Sequence, residues 1–476
     1  MRRGTVLVAV LVVTALAAMV AASLMYRLHA EVIASSAGNK GEQAYAAALS
    51  GMERAMAVAR TSASDRELWY DNPNLFKNQL VCDDGANRWY FTIYAPAAST
   101  AVGTGAARNE SDIRSPQRTG PRSDRYGLTD EASKINANVA DRETLLALPN
   151  MTEELVDCLI DYRDSDSEPQ PNGAEQDYYS QLKVPYAIKN GPLSTIEELL
   201  LVKGFNASII YGEDANLNGR LDPNEDDGDE SFPPDNADGQ IDTGLRGVAT
   251  TTSCESDVDG EGKPRVNING EPKDLDDAGL PAATAEFIKL YRLEGNLFKH
   301  PSELLEMRYK LKQDQSGHKA GEWLESGVGA GELPTVLDRL TTRGQDRRTP
   351  LAGLVNVNTA GVAVLSALPG IDAELAQRIV EARAGLDTQA CSTIAWLYAN
   401  GLMDADTFKA IAPRLTARSF QFHLQCIGFG LPCGRYRVIE AVIDLADQSP
   451  RISYLRDVTR LGPPFPLNVE QQESRR

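Results

Sequence analysis

Between Thr5 and Met25 the chain is almost entirely apolar and carries no charge; charges return only after Tyr26. At roughly 20 residues, this run is long enough to span a bilayer as a helix. Arg2 and Arg3 precede it. Basic flanks stay cytoplasmic, so the rest of the chain is expected on the other side of the membrane. No proline interrupts residues 26–60, and Ala44, Ala48, Met52, Ala55 and Ala59 recur at helical spacing. A continuous helix over 5–60 is therefore expected to leave the membrane and pack on a soluble domain. Two processing routes compete. One is a secretory signal cut near "VAAS" at 20–23. The other is a short basic leader ending at Gly4, whose removal makes Thr5 the first residue and keeps residues 5–25 as the membrane anchor. The uninterrupted helix that follows favours the second.

The period then changes from 3.6 to two. "RWYFTIYA" (88–95) is rich in aromatic and β-branched residues and is expected to be a strand. In "SFQFHLQC", Phe420, Phe422, Leu424 and Cys426 face one way, and Gln421, His423 and Gln425 the other. "YRVIEAVID" (436–444) and "RISYLRDV" (451–458) follow after Gly/Pro-rich turns, which predicts an antiparallel meander. Between these two groups of strands the pattern is helical. The fold class is α+β: a long N-terminal transmembrane helix and an α/β domain interrupted by a large α-helical insertion. The expected divisions are a leader 1–4, a helix 5–60, a first α/β part 61–129, an insertion 130–415, C-terminal strands 416–462 and a tail 463–476.

The insertion repeats itself. "KINANVADRETLLALPNMTEELVDCLIDYR" starts at Lys134 and "LVNVNTAGVAVLSALPGIDAELAQRIVEAR" at Leu354; "RVNING" (265–270) is a partial third copy. Each full copy is a helix-hairpin-helix pattern in which proline stops the first helix and Gly370 or Asn150 permits the reversal. DNA-binding hairpins offer backbone amides to phosphate, but here Asp372 and Thr152 stand at the position nearest that phosphate. A structural hairpin is the expectation, with no nucleic acid as ligand.

Residues 212–245 are acidic. Aligned on Gly219, Asp214, Asn216, Asn218, Arg220 (through its carbonyl), Asp222 and Glu225 fall on the ligand positions of an EF-hand-type loop, and Leu221 supplies the apolar anchor. Hard oxygen donors at alternate positions suit Ca2+, a structural ion here, and Pro233-Pro234 rule out a long exiting helix. Asn236, Asp238 and Asp242, around Gly239, form a weaker second candidate with Pro234 where the first acid should stand. A solvated acidic linker is the competing reading.

Composition narrows the function. The formal charge of -19 disfavours a general nucleic-acid surface. HExxH, GxSxG and GxxxxGK[ST] are missing and the four histidines are scattered, so no catalytic residue is assigned and no enzyme is expected. Six cysteines without a CxxC suggest neither a zinc site nor a small disulfide scaffold, although Cys426 and Cys433 are near enough in sequence to bridge.

"DEASKINAN", "IDYRDSDSEPQPNGAEQDYY", "PYAIKNGPLSTIEELLLVKG" and the short leader together resemble the minor pseudopilin K family of the type II (general) secretion pathway. "ARSFQFHLQCIGFG" and "YRVIEAVIDL" resemble the end of such proteins. The resemblance implies a pilin-like domain, cleavage after Gly4 and methylation by a prepilin peptidase, and a place at the tip of a periplasmic pseudopilus. Its implied partners are other minor pseudopilins, the inner-membrane secretion platform and secreted substrates. Ala9 stands where most pseudopilins carry glutamate, an absence that K-type members share. Calcium sites are known in the family, but the ligand residues above rest on the loop pattern alone. The competing functions are a membrane-anchored DNA-uptake receptor and a calcium-dependent cell-surface interaction protein.

Overall fold

The computed structural model describes residues 3–63, 65–96, 124–315, 317–344, 350–447 and 449–467. Leader residues 1–2 and tail residues 468–476 lie outside them. Helix α1 runs from Arg3 to Ser62. Its 18-residue apolar window is wholly exposed, and mean hydropathy and length fit one membrane crossing. Farther along, Ala44, Ala48, Met52, Ala55 and Ala59 are all buried, as the spacing required.

What they are buried against is one antiparallel sheet of seven strands. Strands β1 (Gln79–Asp83), β2 (Arg88–Pro96), β3 (Asp124–Arg125) and β4 (Thr129–Asp130) precede the insertion. Strands β5 (Gln421–Leu431), β6 (Tyr436–Asp444) and β7 (Arg451–Asp457) follow it. The order is β1-β2-β5-β6-β7, with β3 beside β2 and β4 beside β5. Strands separated by more than 300 residues of chain thus pair directly, as in Cys426 opposite Ile93. Phe422, Leu424 and Cys426 pack with Ile93, Ile439 and the alanines of α1. Small residues allow the close approach. A Cβ on Gly428 would lie 2.1 Å from the Ala44 carbonyl oxygen, and one on Gly51 would lie 2.4 Å from Cys426 Sγ.

All six cysteines are free. Cys426 sits mid-strand facing α1, whereas Cys433 lies past the end of β5 near Ala44, Ala47 and Trp89. The extended strand between them, rising about 3.3 Å per residue, carries the two apart, so the suggested bridge is not formed.

The insertion has its own core, running from Ile135 to Leu415. Its helices are short; α2 (Glu153–Arg163), α3 (Ala282–Leu293) and α4 (Ala373–Arg383) are the longest. Several two-residue strand pairs accompany them, too short to leave a periodic signal. Three of these pairs are parallel and mark three copies of one unit: Ile135–Asn136 with Ala249–Thr250, Val266–Asn267 with Leu340–Thr341, and Val355–Asn356 with Leu415–Thr416. The partial copy at 265 is therefore complete.

The same two clamps recur in each unit. The second asparagine of the N-x-N start donates to carbonyls of later loops: Asn138 to Leu193 and Thr251, Asn269 to Phe298, and Asn358 to Cys391 and Ala417. The arginine near the end of the second helix reaches back to two carbonyls of the same start. Arg163 binds those of Ala137 and Ala140, Arg292 those of Asn269 and Gly270, and Arg383 those of Val357 and Ala360. These bonds satisfy backbone groups that two-residue strands leave open. Asp130 joins sheet to insertion by accepting from Asn356 and Thr359 of the third unit.

Candidate functional site

The acidic segment folds into two loops that interlock. In the first, Asp214 accepts from the amides of Asn218 and Gly219, and Glu225 accepts from those of Ala215 and Asp222. The side-chain amides of Asn216 and Asn218 both donate to Asp222. Gly219 turns the chain at φ +65, and its missing Cβ leaves room for Pro96 of β2. Asp214 and Glu225 are 2% and 1% exposed. Burial pushes both carboxyls above the usual range, while backbone amides pull the other way. The loop therefore gathers the expected residues around buried oxygens. Arg220 is half-buried, its guanidinium donating to the Pro464 carbonyl.

The second loop lacks its own terminal acids and takes them from the first. Asp226 accepts from the Gly239 amide, as Asp214 does from Gly219. Glu213 accepts from the amides of Asn236 and Asp242, much as Glu225 bridges its own loop. Asn236, Asp238 and Asp242 each accept a local backbone amide. Glu213 and Asp226 adjoin Asp214 and Glu225 in sequence, which was the one available clue to their role.

A third acidic centre lies at 161–175. Ligand oxygens of Asp164, Asp166 and Glu175 come within 4.8 Å of one another, the one such group among the described residues. Glu175 is 8% exposed, and neither of its carboxylate oxygens nor Asp164 Oδ1 has a hydrogen-bond partner. Burial raises both carboxyls, and neighbouring acids, Asp161 and Asp166 among them, add to it. Asp161 lies so near Gly173 that a Cβ there would fall 1.8 Å from its Oδ2. Clustered, desolvated carboxylates with free lone pairs fit a hard cation. No contiguous ligand frame in the sequence marks Asp164, Asp166 and Glu175 as a group.

The hairpin turns are closed from within. Asn150 and Gly370 adopt φ +61 and +92. Thr152 caps α2 through the Leu155 amide, and Asp372 caps α4 through the Leu375 amide. Amides that would meet a phosphate are thus occupied by the chain's own side chains. No duplex DNA binding is expected at physiological salt, and a salt-sensitive gel shift at micromolar protein would contradict this.

Residues 114–211 match the family model described as "Type II secretion system (T2SS), protein K", first domain. The chain resembles minor pseudopilin K. Type II secretion system protein K of Pectobacterium carotovorum subsp. carotovorum is 33% identical over 103 residues, spanning 20% of this chain and 29% of the relative. Residues 352–416 match the helix-hairpin-helix motif. A solved GspK-GspI-GspJ complex from enterotoxigenic Escherichia coli contains a chain that aligns over 89% of this one and 98% of itself, with TM-score 0.42 and 12% identity. The pseudopilin K match takes in the 161–175 centre and stops at Tyr211, just before the two interlocked loops. Both the family model and the relative are described as a component of the type II secretion system.

Proposed function

We propose that this chain is a minor pseudopilin that caps the tip of a periplasmic pseudopilus and helps initiate its assembly for secretion across the outer membrane. The match of residues 114–211 to type II secretion system protein K carries the reading. The apolar, membrane-length part of α1 and the small-residue contact between α1 and the sheet support it. On this reading the chain is cut after Gly4 and methylated at Thr5. It is held in the inner membrane by residues 5–25 and placed with its C-terminal domain in the periplasm. Its partners are other minor pseudopilins, the inner-membrane platform, the prepilin peptidase and, during transport, the secreted proteins. Mass measurement of the mature N-terminus should find Thr5; an N-terminus near Ser23 would overturn the reading. A strain lacking the chain should accumulate exoproteins in the periplasm.

Calcium belongs to the same proposal. Asp164, Asp166 and Glu175 would hold one ion, Asp214, Asn216, Asn218, Asp222 and Glu225 a second, and Glu213, Asp226, Asn236, Asp238 and Asp242 a third. The donor sets are all oxygen, and the orphaned Glu175 oxygens are the observation that favours an ion most directly. The ions' role would be structural, ordering loops.

A further inference from the structure

Residues 463–467 read "PPFPL" and follow the last strand of the sheet. Prolines 463, 464 and 466 have no backbone N–H, so anchorage must come from side chains and carbonyls. Phe465 and Leu467 supply the first anchor. They pack with Tyr90, Tyr94, Ile427 and Phe429 on the sheet face turned away from α1, and Phe465 meets Tyr94 edge-on at 5.6 Å. The second anchor is the buried Pro464, whose carbonyl accepts from the Arg220 guanidinium at 2.8 Å. Among the described residues, no other hydrogen bond reaches 463–467.

Arg220 belongs to the first acidic loop. In the EF-hand frame its carbonyl faces the ion, so one residue offers its backbone to the loop interior and its side chain to the C-terminal segment. The loop is braced on the sheet at two further points. Gln425 of β5 donates to the Leu217 carbonyl at 2.9 Å, and a Cβ on Gly219 would fall 2.2 Å from the side chain of Pro96, at the end of β2. Leu217 is held at φ +56, a strained value for a large side chain. The donor set of Asp214, Asn216, Asn218, Asp222 and Glu225 is all oxygen and fits a hard cation. Without a cation, three carboxylates crowd one loop, two of them buried, and like charges at that range repel. Arg220 then loses its fixed position.

We propose that calcium in this loop fastens residues 463–467 to the sheet through Arg220, and that its removal frees the segment and uncovers the face around Tyr90 and Tyr94. The inference rests on the calcium reading of the first loop and adds a moving part to it.

The test replaces Phe465 by 4-fluorophenylalanine in the full chain in detergent micelles. Its fluorine resonance is displaced by the Tyr94 ring while the two are in contact. Calcium binding is followed in parallel by calorimetry. At about 5 mM calcium, above the dissociation constants of weak sites, the resonance should report contact, and chelation should move it to the solvent position. Arg220→Gln keeps the loop carbonyl, so it should bind calcium as the wild type does. A hydrogen bond from a charged group is worth a factor of about 10 to 100, so its ratio of fastened to free segment should fall at least about tenfold. Glu225→Ala should lose the heat of this loop and the shift together. Calcium heat with an unmoved resonance would overturn the strap and leave the ion site standing. An equal shift in wild type and Arg220→Gln would overturn it too. If no heat depends on Glu225, the ion is absent from this loop and the strap falls with it.

Discussion

Valine at Gly428 is expected to prise α1 from the sheet. A Cβ at this position falls 2.1 Å from the Ala44 carbonyl oxygen and 2.4 Å from the Ala48 amide nitrogen. Both obstacles are helix backbone, so no side-chain rotation relieves them. The helix must withdraw, and Ala48, Met52 and Ala55 lose their contacts with Phe91 and Cys426. Overpacking of well-packed cores typically costs 1–3 kcal/mol, and displacing one rigid element from another should reach about 3 kcal/mol or more. For a domain of this size that corresponds to a fall of roughly 6–12 °C in melting temperature. Gly38→Ala on the exposed part of the same helix, with nothing within 4 Å, serves as the control. It should be neutral or slightly stabilising. Melting curves of the full chain in detergent decide the matter. If Gly428→Val melts within about 2 °C of the wild type, the α1–sheet contact is not the keystone argued here.

Calcium removal should have an effect of comparable size, and in the ion-free protein the sign of a substitution should depend on which carboxylate is replaced. Weak extracellular-type sites bind at about 0.1–1 mM, and each contributes about 1.4 kcal/mol at ten times its dissociation constant. Three independent sites would add about 4 kcal/mol. Chelation should lower the melting temperature and increase proteolysis near Gly228, while the strands around Phe422 stay protected. Glu225→Ala should destabilise the protein even without calcium, because the Ala215 and Asp222 amides lose their acceptor. Glu175→Gln should act oppositely. In the ion-free fold the raised Glu175 and Asp164 carboxyls contribute stability that is present below their unfolded pKa values and lost as pH rises through the folded ones. Removing one charge should therefore stabilise the chelated protein at neutral pH and abolish part of the calcium gain. Identical melting of wild type and Glu175→Gln with and without calcium would eliminate the 161–175 ion.

Much of this molecule was readable from one-dimensional pattern. The Thr5–Met25 run, the alanines of α1, the alternation from Phe422 to Cys426 and the two full hairpin copies are all local periodicities, and each reports which side of an element is buried. The first acidic loop was readable for the same reason, since its residues share one contiguous twelve-residue frame.

Tertiary structure decided what distant segments bring together. The third repeat unit emerges only when Leu340–Thr341 pairs with Val266–Asn267 and Arg292 clamps the carbonyls of Asn269 and Gly270. Glu213 and Asp226 complete a loop whose own frame offers proline in place of an acid. Glu175 is isolated because Asp161, Asp164 and Asp166 converge on it across a turn, leaving its oxygens without donors. A cavity lies where the polar part of one sheet face, around His423, Gln425 and Glu440, meets the insertion. Periodicity in sequence fixes a side chain's face on its own element, but a site built across elements depends on chain closure. Closure is settled by packing and by the need of every buried polar atom for a partner.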